Sequence, residues 1–313
     1  MNHSVWLMVR YQTRVDTLTT GCINFTLEKE RYTPYTQLSG QWYMPQDAPF
    51  SEVVAIILYI DGAIKHYGYP TDIETVQKDG RTVLKFKSVG YTAALVTNQC
   101  PDGLITQINL QSLASKMDPF PVVVYQQDTP TVNYDNYYNG TSAWEAIVCY
   151  SIRAVQAYPY IYGFNTVRIE PPPTLGYLAV TSDRLISQSY KTDYTKMISK
   201  ITEKDIDGTE GAFVGQNGIA SQRTIMRAKE IPFDHEWIMS PKEGLAFKLD
   251  YSMRAMNCDC FSFFGYYADF DLLDQFAVTD QYLLGEADRI RITATPERGF
   301  VTTVWCYHDA FCY

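Results

Sequence analysis

Histidine is scarce in this sequence, with four in 313 residues, which leaves little room for a histidine-based mechanism. Asp234-His235-Glu236-Trp237 lacks the second histidine of a His-Glu-x-x-His zinc helix, and Pro232 stands beside it, so it reads as structural. His308-Asp309 has no Gly-x-Ser-x-Gly elbow to serve. No apolar run approaches the ~20 residues that a membrane helix needs. The start, Met1-Asn2-His3-Ser4-Val5-Trp6, has no charged-then-apolar leader pattern, so a soluble chain made in a cytoplasm is expected. The Asn-x-Ser/Thr matches at Asn2, Asn24 and Asn139 are then accidental. Positive charge is in deficit: 26 Lys and Arg face 35 Asp and Glu, a net charge of −9. That balance argues against a surface built to neutralise phosphates.

Other chemistry is missing by pattern. Gly208, Gly211, Gly215 and Gly218 are not followed by the Gly-Lys-Ser/Thr of a phosphate loop. Asp205-Ile206-Asp207-Gly208-Thr209-Glu210 fails as a calcium loop, because Val214 stands where the bidentate Glu belongs if Asp207 is position five. Asp269, Asp271 and Asp274 read as a solvated strand end. No catalytic, cofactor-binding or metal-binding residues are assigned, and the chain is expected not to be an enzyme.

Seven cysteines make an odd count, unsuited to a secreted disulfide framework at this length. Cys258, Cys260, Cys306, His308 and Cys312 could close a tetrahedral zinc site. Cys-x-Cys is not the usual knuckle spacing, however, and two strand residues of one face could equally be buried thiols. The alternatives stay open at this level.

Aromatic residues and turn formers are plentiful. Tyrosine stands out at 25, against 15 Phe and 5 Trp, which suits strands and protein interfaces alike. Residues 51–98 read as three strands stitched by Asp61-Gly62 and Asp79-Gly80, followed by a change of period at Gly90-Tyr91-Thr92-Ala93-Ala94-Leu95-Val96. Strands are also expected at Val5-Trp6-Leu7-Met8-Val9 and Cys22-Ile23-Asn24-Phe25-Thr26-Leu27, with a crossing loop over 31–40. Turn formers and a lack of period make 118–140 a linker. Ser142-Ala143-Trp144-Glu145 is a capping box, and Trp144, Ile147, Val148, Ile152 and Val155 continue as one apolar stripe. A hairpin follows over 160–169, stopped by Pro171-Pro172-Pro173.

The last segment opens on a strand at Tyr177-Leu178-Ala179-Val180 and a helix over 193–200, with Tyr194, Met197, Ile198 and Ile201 on one face. An exposed acidic, Gly-rich loop covers 205–218. Further strands are expected at 224–227, 245–249, 261–267, 289–293 and 301–305. A mainly β fold with an α/β insertion follows, divided into segments 1–116, 117–174 and 175–313. At this length roughly 75% of the unfolded surface can be buried if the chain packs as one body.

Three features together resemble the baseplate hub proteins of tailed phages, a family shared with the amino-terminal part of type VI secretion spike proteins. They are the block ending Ser88-Val89-Gly90-Tyr91-Thr92-Ala93-Ala94-Leu95, the module entered by Gly140-Thr141-Ser142-Ala143-Trp144-Glu145-Ala146-Ile147, and Ile231-Pro232-Phe233-Asp234. The resemblance spans most of the chain, although the cysteine-bearing region has no counterpart in it. It implies two tail-tube-like β-barrel domains flanking a small α/β domain. It also implies a homotrimer whose ring joins the hexameric tail tube to the trimeric central spike among other baseplate proteins. DNA would then be only passing cargo in its channel, repelled by an acidic lumen. The expected place is the virion tail baseplate, assembled in the bacterial host cytoplasm. The rival reading is a tail-tip or distal-tail module whose Tyr and Trp clusters stack on host-surface carbohydrate; a peptidoglycan hydrolase comes third.

Overall fold

In the computed structural model the described residues are 3–45, 52–78, 80–117, 122–172, 174, 176–237, 240–280 and 283–308. Eleven antiparallel strands form the main sheet. They are β1 (Val5–Tyr11), β2 (Val15–Leu18), β3 (Cys22–Glu30), β4 (Gln37–Met44), β5 (Val53–Ile60), β6 (Ala63–Lys78), β7 (Arg81–Gly90), β8 (Leu185–Thr192), β9 (Asn257–Phe264), β10 (Arg289–Thr295) and β11 (Gly299–Tyr307). Their order across the sheet is β8-β9-β11-β10-β3-β4-β7-β6-β5-β1-β2. The fold is mainly β. No helix among the described residues is long and apolar enough to cross a membrane.

Local chemistry explains the first half. Asp61 and Gly62 take φ of 52° and 79°, the paired positive angles of a type I′ turn, so Ile60 pairs directly with Ala63. Gly80 also has a positive φ of 72°, while Asp79 lies outside the described residues. After β7 the chain turns into short helices at Tyr91–Ala93 and Ala94–Thr97, where the change of period places them. The crossing loop expected over 31–40 gives way to β4 from Gln37, whose alternate residues Leu38, Gly40 and Trp42 are buried.

The α/β insertion centres on α1 (Ala143–Val155). Ser142 accepts from the Glu145 amide and Glu145 returns a bond to the Ser142 amide, the reciprocal capping expected of this sequence. Against it pack Val124–Tyr125, Tyr160–Tyr162 and Thr166–Arg168, a three-stranded sheet. Part of the expected linker is ordered: Val132–Tyr137 pairs antiparallel with Gly103–Ile108. Leu95, Ile105, Ile108 and Trp237 therefore share one apolar core with Trp144 and Ile147.

Four expectations for the last segment are corrected. Residues 193–199 are not helical. Asp193 accepts from the Thr195 amide and hydroxyl, and Arg227 Nη1 donates to the carbonyls of Tyr194, Thr195 and Met197, which removes acceptors a helix would use. The strand expected at 245–249 lies inside α2 (Pro241–Met253), and the one at 224–227 is displaced to Ala228–Ile231. The 205–218 loop contains the strand Phe213–Gln216, paired with Lys200–Glu203.

The two strand-rich halves keep separate apolar cores. One surrounds Leu7, Phe25, Trp42, Ile56 and Phe86; the other surrounds Phe261, Phe263, Phe276 and Val304. Both halves nevertheless belong to one continuous sheet, because β3 pairs with β10 from Glu30↔Arg289 to Phe25↔Ala294. One sheet spans two cores.

Candidate functional site

The histidines, cysteines and carboxylates singled out in the sequence are placed as follows. His66 is fully buried between Thr36 and Ser88, with both hydroxyls 2.8 Å from its ring nitrogens. Ser88 Oγ donates to the Tyr69 carbonyl at 2.9 Å, so it accepts from His66 Nε2, and Nδ1 accepts from Thr36. The proton of Ser88 thus points away from the ring, opposite to the sense needed for an activated nucleophile. Burial pushes the His66 pKa down to about 3, so the ring is neutral at pH 7.

Unfolding frees His66 to take a proton near pH 6.5, so its stabilising contribution is full above that pH and is lost as pH falls toward 3. In the folded protein, NMR of the His66 ring should show no titration between pH 8 and about 5. A midpoint at 6 to 7 would contradict the sealed packing.

His235 stacks on Tyr138 at 3.8 Å beside the buried Trp237, and Asp234 pairs with Lys248. His308 Nε2 lies 2.6 Å from Asp259. The β9–β11 register sets Cys258 and Cys260 opposite Tyr307 and Trp305, whereas Cys306 faces Asp259; strand alternation therefore sends Cys306 to the other side of the sheet. Burial pushes the Cys258 thiol up to about 12 and raises Cys260 and Cys306 as well, disfavouring the thiolates that a metal requires. No metal-holding group of His, Cys, Asp or Glu occurs among the described residues, and Cys312 lies outside them. In the 205–210 loop, Asp207 accepts from the Thr209 amide at 2.8 Å and Lys204 bonds Glu210 at 3.0 Å. Asp271 and Asp274 are not a solvated strand end. Asp274 is buried and accepts from the Gly176 and Asp271 amides at 2.7 Å.

A dense polar constellation lies where the two halves meet, on a run for which the sequence suggested no role: Glu28-Lys29-Glu30-Arg31. Each side chain reaches across. Glu28 pairs with Arg289 and, at 2.7 Å, with Arg291; both guanidiniums also lie over Trp305. Lys29 pairs with Asp271 and donates to the Gly163 carbonyl at 2.7 Å, tying in the insertion. Glu30 accepts from the Tyr307 hydroxyl at 2.8 Å. Arg31 meets Asp288 at 3.2 Å, and Asp288 also accepts from the Tyr307 amide. Burial raises the Asp288 carboxyl to about 6, with Arg31 pulling against it. Four consecutive charges at the end of a strand-like run were the available sequence sign. This junction ties the two halves together, and Lys29 and Asp271 also line a cavity of about 240 Å³.

No family model and no curated protein sequence matches the chain. Solved structures do. The tail protein from Neisseria meningitidis MC58 superposes with a TM-score of 0.70 at 14% identity, over 99% of this chain and 98% of that one. The prophage MuSo2 43 kDa tail protein from Shewanella oneidensis gives 0.68 at 14% identity, over 97% and 98%. The E. coli c3393 protein gives 0.52 at 9% identity, over 98% and 78%; it is described as a type VI secretion component structurally similar to the T4 bacteriophage tail proteins gp27 and gp5. Across nearly its whole length, the chain carries the fold of phage tail proteins, a fold found also in a component of type VI secretion.

Proposed function

We propose that this chain is the structural hub subunit of a phage tail baseplate or related injection particle. Three copies form a ring that joins the hexameric tail tube to the trimeric spike and lines the central channel. In this reading 1–116 and 175–313 supply two tube-like units per subunit, with 117–174 inserted between them, and the chain performs no catalysis. It works in the virion tail beside tube, spike and other baseplate proteins, after assembly in the host cytoplasm.

The observation that carries this reading is the shared sheet. Within one chain, two β units with separate cores already join edge to edge at β3 and β10. The sheet's outer strands, β2 and β8, have no second strand neighbour among the described residues. Repeating an edge contact between copies by a rotation that closes gives a ring with no free edge. β8 suits such a contact: it is eight residues long, Lys191 is its one charge, and Ile186 and Tyr190 are exposed. Fold likeness to tail proteins supports the reading independently.

Light scattering at high protein concentration should give three times the chain mass, and images of the particle should show a three-fold ring around a pore. Ile186→Lys with Tyr190→Lys should return the mass to one chain without lowering the melting temperature by more than a few degrees. A monomer both in concentrated solution and in tail-like assemblies would overturn the proposal.

A further inference from the structure

Between residues 195–201, strand Ala228–Ile231 and α2 lies a cleft of about 520 Å³ whose lining includes Lys196, Arg227, Lys229, Lys248 and Arg254 and no carboxylate. In a chain with nine more acidic than basic residues, such a concentration runs against composition. Lys248 is spoken for by Asp234, and the buried Glu203 stands close enough to act on its charge. The other four make no ion pair among the described residues. Lys196 and Lys229 are exposed, Arg227 is held by backbone carbonyls, and Arg254 lies 3.6 Å over the Tyr251 ring with Nη1 on the Tyr251 carbonyl.

Lys248 and Tyr251 also line a second cavity, of about 470 Å³. Its other walls include Tyr32, Tyr35, Trp144, Tyr158, Trp237 and Phe247. The two cavities therefore meet along α2, one cationic and the other aromatic.

We infer that this double groove captures an extended acidic segment of a partner protein, its carboxylates on the four cations and an aromatic side chain in the neighbouring cavity. Guanidinium groups suit carboxylates through paired hydrogen bonds, and aromatic rings pack edge-to-face or offset in such a cavity. A nucleic acid fits less well. It brings a charge every ~1.7 Å and needs an extended positive field, whereas these cations are confined to one cleft of a net-negative chain. The inference stands on the groove and not on the ring, so a failure of either leaves the other intact.

Trp144 and Trp237 make the aromatic cavity its own reporter. The probe is a blocked peptide, Glu-Glu-Phe-Glu-Glu, added to the full chain while tryptophan emission is followed. Saturable binding in the micromolar to low millimolar range is expected, weakened at least tenfold by Lys196→Glu with Lys229→Glu. Replacing the peptide's Phe by Ala should cost at least another tenfold. Both lysines are exposed, and an unchanged melting temperature verifies that the variant is folded. Absence of saturation at millimolar peptide, indifference to the charge reversals, or tighter binding of a twelve-residue oligothymidylate would overturn the inference.

Discussion

Gly68→Ala should shift urea unfolding to a much lower midpoint, the largest single-substitution effect expected in this chain. A Cβ at Gly68 would sit 2.0 Å from the Val89 carbonyl oxygen, 2.6 Å from its carbon and 2.7 Å from His66 Nε2. Two of these contacts are backbone, so relief requires β6 and β7 to separate. Gly68 pairs directly with Gly90, and a Cβ at Gly90 would meet Thr36 Oγ1 at 2.9 Å. Spreading the strands would also break the Thr36–His66–Ser88 chain, leaving an imidazole buried with no partner. Overpacking and an orphaned polar group together place the cost above about 4 kcal/mol, against roughly 5–15 kcal/mol for a whole domain. Gly62→Ala is the matched control. Its Cβ meets nothing within 4 Å, so only the positive φ is penalised, at about 1 kcal/mol. Urea unfolding of the two variants decides the matter: comparable midpoints would refute the packing argument.

The second large effect is expected at the junction of the halves. Glu28→Arg would set three guanidiniums together, since Arg289 and Arg291 both converge on the carboxylate. Glu28 and Arg289 are mostly buried, and Arg291 is more open, so solvent screens part of the repulsion. A loss of about 3 kcal/mol is expected. Its form matters more than its size. With β3 and β10 loosened, the two cores should melt separately, and calorimetry should resolve two transitions where the native chain shows more coupled unfolding. Glu28→Gln keeps an acceptor and should cost about 1 kcal/mol. A single cooperative transition in Glu28→Arg, unshifted from the native one, would show that the junction does not couple the halves.

Where conformation is decided by neighbours in sequence, it could be read there. Asp61-Gly62 demands positive φ and receives it; Ser142 and Glu145 cap each other across three residues. Failures occurred where distant groups decide. Tyr194, Met197 and Ile198 have helical spacing, yet Arg227 claims the local carbonyls from thirty residues away. Residues 245–249 look alternating, but Leu245 and Leu249 lie one helical turn apart and pack in the same small core as Ile198 and Ile201. Val132–Tyr137 is polar enough to pass for a linker, and the buried Asp135 is accommodated through its 2.8 Å pair with Arg153. The junction was least legible of all, because Glu28 and Arg291 are 263 residues apart.

That separation bears on the timing of synthesis. The edge of β3 is complete within the first thirty residues, but its neighbour β10 begins at Arg289. A nascent chain must therefore carry an open, partly apolar strand edge until β10 has been made. Non-local pairing of this kind is slow and leaves intermediates open to aggregation. Glu28, Lys29, Glu30 and Arg31 flank that waiting edge with charge, which discourages a wrong strand from docking there. A chain interrupted before β10 would lack the joint between its halves.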